Sequence, residues 1–181
     1  MTAPGPDDLE WVIGPALLDS FAKLGVDDPA LAVTYYRERY TDVGLFENTV
    51  YAGIPETLKR LQSAGYTMYL ATAKPHAYAR KITAHFGLSQ FLTYEFGPEL
   101  DGTRNDKADL LEYALRKTGH KAQDCIMIGD RHHDFDAAKA NGMQAIGVTW
   151  GYGNESELTL ADAICQRPAD LVGIITRLLP R

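Results

Sequence analysis

Near the start of the chain, apolar residues recur at the three- and four-residue intervals of a helix. Leu17, Leu18, Phe21 and Leu24 share one face; Pro15 stands where a helix favours its first residue, and Gly25 stops it. Asp28-Pro29 opens a second helix that carries Leu31, Val33, Tyr35, Tyr36 and Tyr40 and ends before Gly44. From about Val50 the rhythm changes, and helical stretches alternate with short apolar runs. Helices are expected over residues 55–64, 77–86, 107–117 and 134–140, each closed by a glycine at or just past its end. Strands are expected over residues 66–71, 91–96, 125–128 and 144–149. Strands that are apolar on both faces and alternate with helices predict a parallel sheet covered on both sides, an α/β fold. Such sheets bind ligands at the carboxyl ends of their strands, so the residues just after each strand are the ones to read.

Composition narrows the class. Apolar residues make up 45% of the chain and charged ones 23%, which predicts a soluble globular protein with one core domain and at most a small appendage. The net charge of −6 argues against nucleic acid or an anionic membrane as the main partner. It leaves room for a small phosphorylated metabolite, whose field a few local cations can set. Cys125 and Cys165 are too few for a disulfide framework, and Cys125 reads as a small buried hydrophobe. No run approaches the ~18 apolar residues of a membrane span. Met1 to Asp8 lacks the basic and apolar regions of a signal peptide, so a cytoplasmic location is expected.

Three places at the strand ends carry chemistry. Thr72-Ala73-Lys74-Pro75 follows the strand at 66–71, and Gly129-Asp130-Arg131-His132-His133-Asp134 follows the one at 125–128. Lys107 stands between them at a helix start. Thr72 can offer a hydroxyl, with backbone N–H groups beside it, to a phosphate oxygen. Lys107 adds a cation where the helix dipole already favours an anion. Asp130, directly behind Gly129, and Asp134, one helical turn on, suit a hard cation such as Mg²⁺ held by few protein ligands plus water and phosphate. Each element alone has an ordinary reading: Thr72 and Asp134 as helix caps, Lys107 as a solvated cation, Gly129-Asp130 as a turn. Their order along the chain is what points to a site. His132-His133 invites a transition-metal reading, but adjacent histidines on a turn seldom address one ion, and magnesium chemistry does not need them.

That ordered set resembles the haloacid dehalogenase superfamily, and the wording resembles its phosphoglycolate phosphatase and 5′-nucleotidase-like branch. The stretches that carry the resemblance are YAGIPETLKRLQSAGY, YLATAKP, the Lys107 region and MIGDRHHDFDAAKANGMQAIGVTWGYG, which together cover most of the chain from Val50 onward. The resemblance implies a Rossmann-like core over residues 49–181 and a partial helical cap over residues 1–48. It implies that Thr72 and Ala73 bind the transferring phosphoryl group, that Lys107 neutralises it, and that Asp130 ligates Mg²⁺ with Asp134 as ligand or support. The activity implied is magnesium-dependent hydrolysis of a small phosphate monoester, phosphoglycolate or nucleoside monophosphate in kind.

One part of the resemblance fails. The superfamily attacks phosphorus with an aspartate at the end of its first strand, within Asp-x-Asp-x-Thr, forming an aspartyl-phosphate. No such run occurs in the 181 residues. Glu99-Leu100-Asp101-Gly102-Thr103 imitates it, but has Glu in the nucleophile's place and Gly97-Pro98 rather than a strand in front. The resemblance sets the first strand between those ending at Ala71 and Ile128, where its loss would leave edges open to self-association. A partner molecule, collapse of the slot, or the apolar run Leu9-Glu10-Trp11-Val12-Ile13 are the other ways to close it. The expectation is a phosphatase shortened at its start, with the nucleophile strand encoded in frame ahead of Met1 and the chain as given inactive. The alternative is a degenerate, non-catalytic phosphate- or partner-binding protein. A mutase or dehalogenase on the same scaffold is a third reading, and the two aspartates lean against dehalogenation.

Overall fold

In the computed structural model, which describes Gly5, Leu9, Trp11, Val12 and residues 17–180, the chain divides into two compact units, Met1–Asn48 and Thr49–Arg181. In the first unit, α1 (Leu17–Lys23) and α2 (Pro29–Asp42) are the two helices that the apolar spacing predicts. Asp28 caps α2 by accepting from Leu31 N at 3.0 Å, with Pro29 at the first turn. The Arg39 guanidinium grips both oxygens of Glu47 at 2.8 and 2.7 Å, which returns the chain past Leu45, itself fully buried. Leu9, Trp11 and Val12 lie in 3-10 turns, not in a strand. Pro15, Glu10 and Ile13 lie outside the described residues.

In the second unit a helix stands between each strand and the next, so every strand can return parallel to its neighbour. The order is α3 (Ile54–Ser63), β1 (Tyr69–Ala71), α4 (His76–His85), β2 (Tyr94–Phe96), α5 (Lys107–Thr118), β3 (Ile126–Gly129), α6 (His132–Ala140), β4 (Gln144–Val148), α7 (Glu155–Leu158), β5 (Ala163–Cys165) and α8 (Leu171–Leu178). Two parallel sheets result, β1-β2 and β3-β4-β5. Their registers pair Ala71 with Phe96, Gly129 with Gly147 and Val148 with Cys165. Among the described residues β1 pairs with β2 alone, and β3 with β4 alone.

The side chains of β4 alternate between two cores, as a pleated strand requires. Ile146 and Val148 pack with Leu61 of α3, Cys165 of β5, and Leu171, Ile174 and Ile175 of α8. Ala145 faces the other way, into Leu111, Met127, Phe135, Ala138 and Leu158. Helices therefore cover β4 on both faces. Ile146, fully buried, contributes about 1.5–3 kcal/mol by its removal from water.

Some expected strands come out shorter. Tyr66 N still bonds to Leu61 O at 3.0 Å, in the wind-down of α3, so β1 begins only at Tyr69. A 3-10 turn at Ser89–Phe91 takes the front of the expected second strand. The run Cys125 to Ile128 is not buried throughout: Cys125 is half-buried, and Ile128 is exposed while Met127 is covered. The reason is that β3 has a strand on one side only among the described residues. No helix of the described residues is long and apolar enough to cross a membrane.

Candidate active site

The carboxyl ends of β1 and β3 bring the predicted residues together. Thr72 leaves β1 with its N–H still bonded to Phe96 O at 3.0 Å, so pairing with β2 fixes its backbone. Its hydroxyl oxygen accepts from Lys74 N at 3.1 Å, which bends the chain through Ala73, an exposed residue. A Cβ on Gly97 would stand 2.5 Å from Lys74 O, so only glycine lets the strand-end turn of β2 pass this close. His76 N then bonds to Pro98 O at 3.0 Å, and His76 Nδ1 lies 3.2 Å from Glu99, which also pairs with Arg104. Burial holds the Lys74 ammonium below the usual lysine range.

Lys107 is the first residue of α5, behind Asp106, whose carboxylate caps the helix by accepting from Ala108 N at 2.8 Å. The Lys107 ammonium donates to Ala71 O at 2.9 Å and pairs with Asp134 Oδ1 at 3.0 Å. One cation thus ties the end of the two-stranded sheet to the loop behind the three-stranded one. Thr72 and Lys107 are brought to one place because Ala71 precedes Thr72 directly.

Asp134 folds back over its own helix start. Its Oδ2 accepts from Asp130 N at 3.2 Å and from Arg131 N at 3.3 Å. Gly129 makes this possible, since a Cβ there would lie 2.2 Å from that same oxygen. Asp130 is clasped from the loop after β4: its Oδ2 accepts from Tyr152 N at 2.6 Å, with Gly151 and Gly153 pressed against its carboxylate and carbonyl. Further back, Glu157 accepts from Arg131 Nε at 3.0 Å and meets His132 Nδ1 at 2.7 Å. Burial raises the Glu157 carboxyl, but the His132 and Arg131 bonds outweigh it and hold the group below the usual carboxylate range. His133 is held low by burial first, then by its His132 and Arg131 neighbours.

These donors bear on the divalent cation that the resemblance implies. Both Asp134 oxygens are engaged, one by Lys107 and the other by backbone, which makes it the residue that orients the Asp130 loop. Asp130 uses one oxygen on Tyr152 N and is the carboxylate at the strand end. No three His, Cys, Asp or Glu are grouped to hold an ion among the described residues. A hard divalent cation needs only one or two protein carboxylates, with water and phosphate oxygens filling the rest. Asp130 fits that demand as a single oxygen ligand. The Glu99 to Thr103 imitation is a turn: Thr103 N bonds to Asp101 Oδ1 at 2.9 Å and Gly102 has φ 89°.

Sequence reasoning missed the Gly151-Tyr152-Gly153 clasp, the Glu157 anchor and the half-buried Lys74. The first had a signal, two glycines spaced by one residue just after an apolar strand. The second had none, because Glu157 reaches Arg131 across 26 residues.

Comparison with known proteins places this geometry. The family described as haloacid dehalogenase-like hydrolase matches residues 1–148. A 5′-nucleotidase from Pseudomonas aeruginosa is 46% identical over 153 residues, 83% of this chain and 69% of that protein. A protein named tyrosine-protein kinase PtkA, from Mycobacterium tuberculosis, is 34% identical over 83% of this chain, which spans only about half of it, 52%. A phosphoglycolate phosphatase from Pectobacterium atrosepticum is 29% identical over 83% of this chain and 67% of its own length. The crystal structure of a predicted phosphatase from Clostridium acetobutylicum superposes with a TM-score of 0.90 at 34% identity, covering 98% of this chain and 84% of that one. The chain belongs to the haloacid dehalogenase-like hydrolases, alongside the 5′-nucleotidase and phosphoglycolate phosphatase relatives that its motifs resemble.

Proposed function

We propose that these residues are the phosphate-holding half of a magnesium-dependent phosphatase acting on a small phosphate monoester, of the phosphoglycolate or nucleoside monophosphate kind. The observation that carries this reading is Lys107, whose ammonium bridges Ala71 O and Asp134 at 2.9 and 3.0 Å. It thereby stands between Thr72 and the Asp130 loop. Phosphoryl transfer asks a protein mainly for positioning and charge neutralisation. Thr72 offers a hydroxyl and the Ala73 turn its backbone, Lys107 a fixed positive charge, and Asp130 a hard oxygen. Bound at Asp130, Mg²⁺ would supply further neutralisation of phosphate charge. The kinase name of the mycobacterial relative also denotes phosphoryl transfer, and the same anion-holding residues would serve it.

Because Asp-x-Asp-x-Thr does not occur in the 181 residues, the chain by itself is expected to hold phosphate and turn nothing over. The same absence favours a second reading, a non-catalytic phosphate-binding protein. Titration of inorganic phosphate with Mg²⁺, paired with an aryl phosphate hydrolysis assay, tests the first. Phosphate should bind and Lys107→Ala should weaken it, with no hydrolysis above the Asp130→Ala background. Binding that ignores Lys107 would sink the reading. Hydrolysis abolished by Asp130→Ala would mean that another carboxylate serves as nucleophile. The coding DNA ahead of Met1 separates the two readings: an in-frame strand ending in Asp-x-Asp supports the enzyme, and its lack the binder.

A further inference from the structure

The far end of α5 carries a second concentration of charge, away from the phosphate site. The helix begins at that site with Lys107 and closes with Arg116 and Lys117 in its last turn. The Lys117 ammonium donates to Tyr94 Oη at 2.7 Å and to Tyr113 Oη at 3.3 Å, and lies 4.2 Å from the centre of the Tyr94 ring. Arg116 stands 5.9 Å and Arg104 4.5 Å from the Tyr113 ring. Arg80 approaches the Tyr94 ring from α4, at 5.6 Å. Four cations thus surround two tyrosine rings in a chain whose net charge is −6. Arg104 is matched by Glu99. Arg80, Arg116 and Lys117 form no ion pair with a carboxylate among the described residues. Glu95, next to Tyr94, accepts instead from the Thr83 hydroxyl at 2.9 Å.

Cations in a last helical turn have an ordinary use, since they complement the helix dipole. Charge beside an edge strand also discourages sheets from joining. Neither accounts for Arg80, which lies in the middle of α4, a helix that meets the Glu95 face of β2. To stand against Tyr94, on the opposite face, Arg80 reaches around the edge of β2 that β1 leaves open. Basic side chains therefore line both sides of an unpaired strand edge, Arg80 from one helix and Arg116 with Lys117 from the other.

We propose that this edge is a docking site for an acidic peptide segment, which adds to β2 as an extended strand and sets carboxylates against Arg80 and Lys117. Backbone pairing supplies the affinity common to any strand added at an edge, and the flanking cations select for acid. The rings hold those cations in place, so less side-chain freedom is lost when a carboxylate arrives. Nucleic acid fits poorly: it cannot pair with a strand edge, and the charge of −6 opposes a long polyanion.

Fluorescence anisotropy of the whole chain with a labelled peptide of alternating glutamate and threonine tests this, read against the same peptide with lysine for glutamate. The acidic peptide should bind and the basic one should not. Arg80→Gln combined with Lys117→Gln, at two exposed positions, should weaken binding at least about tenfold, the effect of losing one charged bond or more. Methylating the backbone nitrogens of the acidic peptide, which removes its ladder bonds and keeps its charge, should also weaken it about tenfold. No binding of the acidic peptide overturns the proposal, as does binding that survives the double substitution or the methylation. Displacement by oligothymidylate as readily as by unlabelled peptide would make this edge a general anion site and overturn it too.

Discussion

Lys107 and Asp134 form an ion pair of 3.0 Å between the starts of two helices, with side chains only 14% and 12% exposed. For Asp134 the location is favourable, since a helix start attracts an anion; for Lys107 it is adverse, since the same field repels a cation. Lys107 is held there by Asp134 and by Ala71 O at 2.9 Å. A cation kept against the local field and shielded from water is a strong attractor for any anion brought to the strand ends.

Lys107→Met should therefore act on stability and binding together. Removing one partner of a largely buried pair costs about 3 kcal/mol, to be read as a lower urea midpoint. Phosphate affinity should fall at least about tenfold in the same variant, the effect of losing one charged bond.

Thr72→Val and Thr72→Ser separate the hydroxyl from the shape. Valine removes the acceptor of the 3.1 Å bond from Lys74 N, at about 1 kcal/mol, and with it the anchor of the Ala73 bend. Phosphate titration should show weakened binding in the valine variant and near wild-type binding in the serine variant.

Gly151→Ala and Gly153→Ala should differ in kind. The added Cβ at 151 meets the movable Asp130 carboxylate, whereas at 153 it meets the Asp130 carbonyl oxygen, which is backbone. The first should weaken Mg²⁺-dependent phosphate binding with little change in Tm. The second should also lower stability by about 2 kcal/mol, as the loop is forced apart.

Glu157 gives a pH dependence with a definite sign. Its folded-state carboxyl is held low by His132 and Arg131 in spite of burial. The stability it contributes is present above the unfolded value, about 4.3, and is lost as pH falls through the lower folded value. Urea midpoints measured from pH 6 to pH 3 should fall less steeply for Glu157→Gln than for the wild-type chain.

Local signals in the sequence placed the elements and the strand-end residues well. Asp28-Pro29 and the closing glycines mark helix ends by chemistry confined to a few residues, and those helices stand where expected. Thr72, Lys107 and Asp130 were legible because each follows or opens an element. The elements α7, β5 and α8 went unread, β5 being only three residues long. Long-range geometry was also illegible: nothing in sequence ties Lys107 to Ala71, 36 residues away, or Glu157 to Arg131. Burial of the run from Cys125 to Ile128 was overestimated because the apolar pattern assumed neighbours on both sides of β3.

The division of the sheet into β1-β2 and β3-β4-β5 has a consequence for the timing of local opening. Among the described residues, backbone amides along the edges of β1 and β3 that face away from β2 and β4 have no ladder partner to slow their exchange with solvent, and Lys107 is the clamp across that seam. An anion seated at Thr72 and Lys107 would pull on both sides of the seam at once. Phosphate should therefore slow deuterium uptake at residues 69–72 and 126–131 more than in the Ile146 core, so that occupancy of the site is written into the breathing of the sheet.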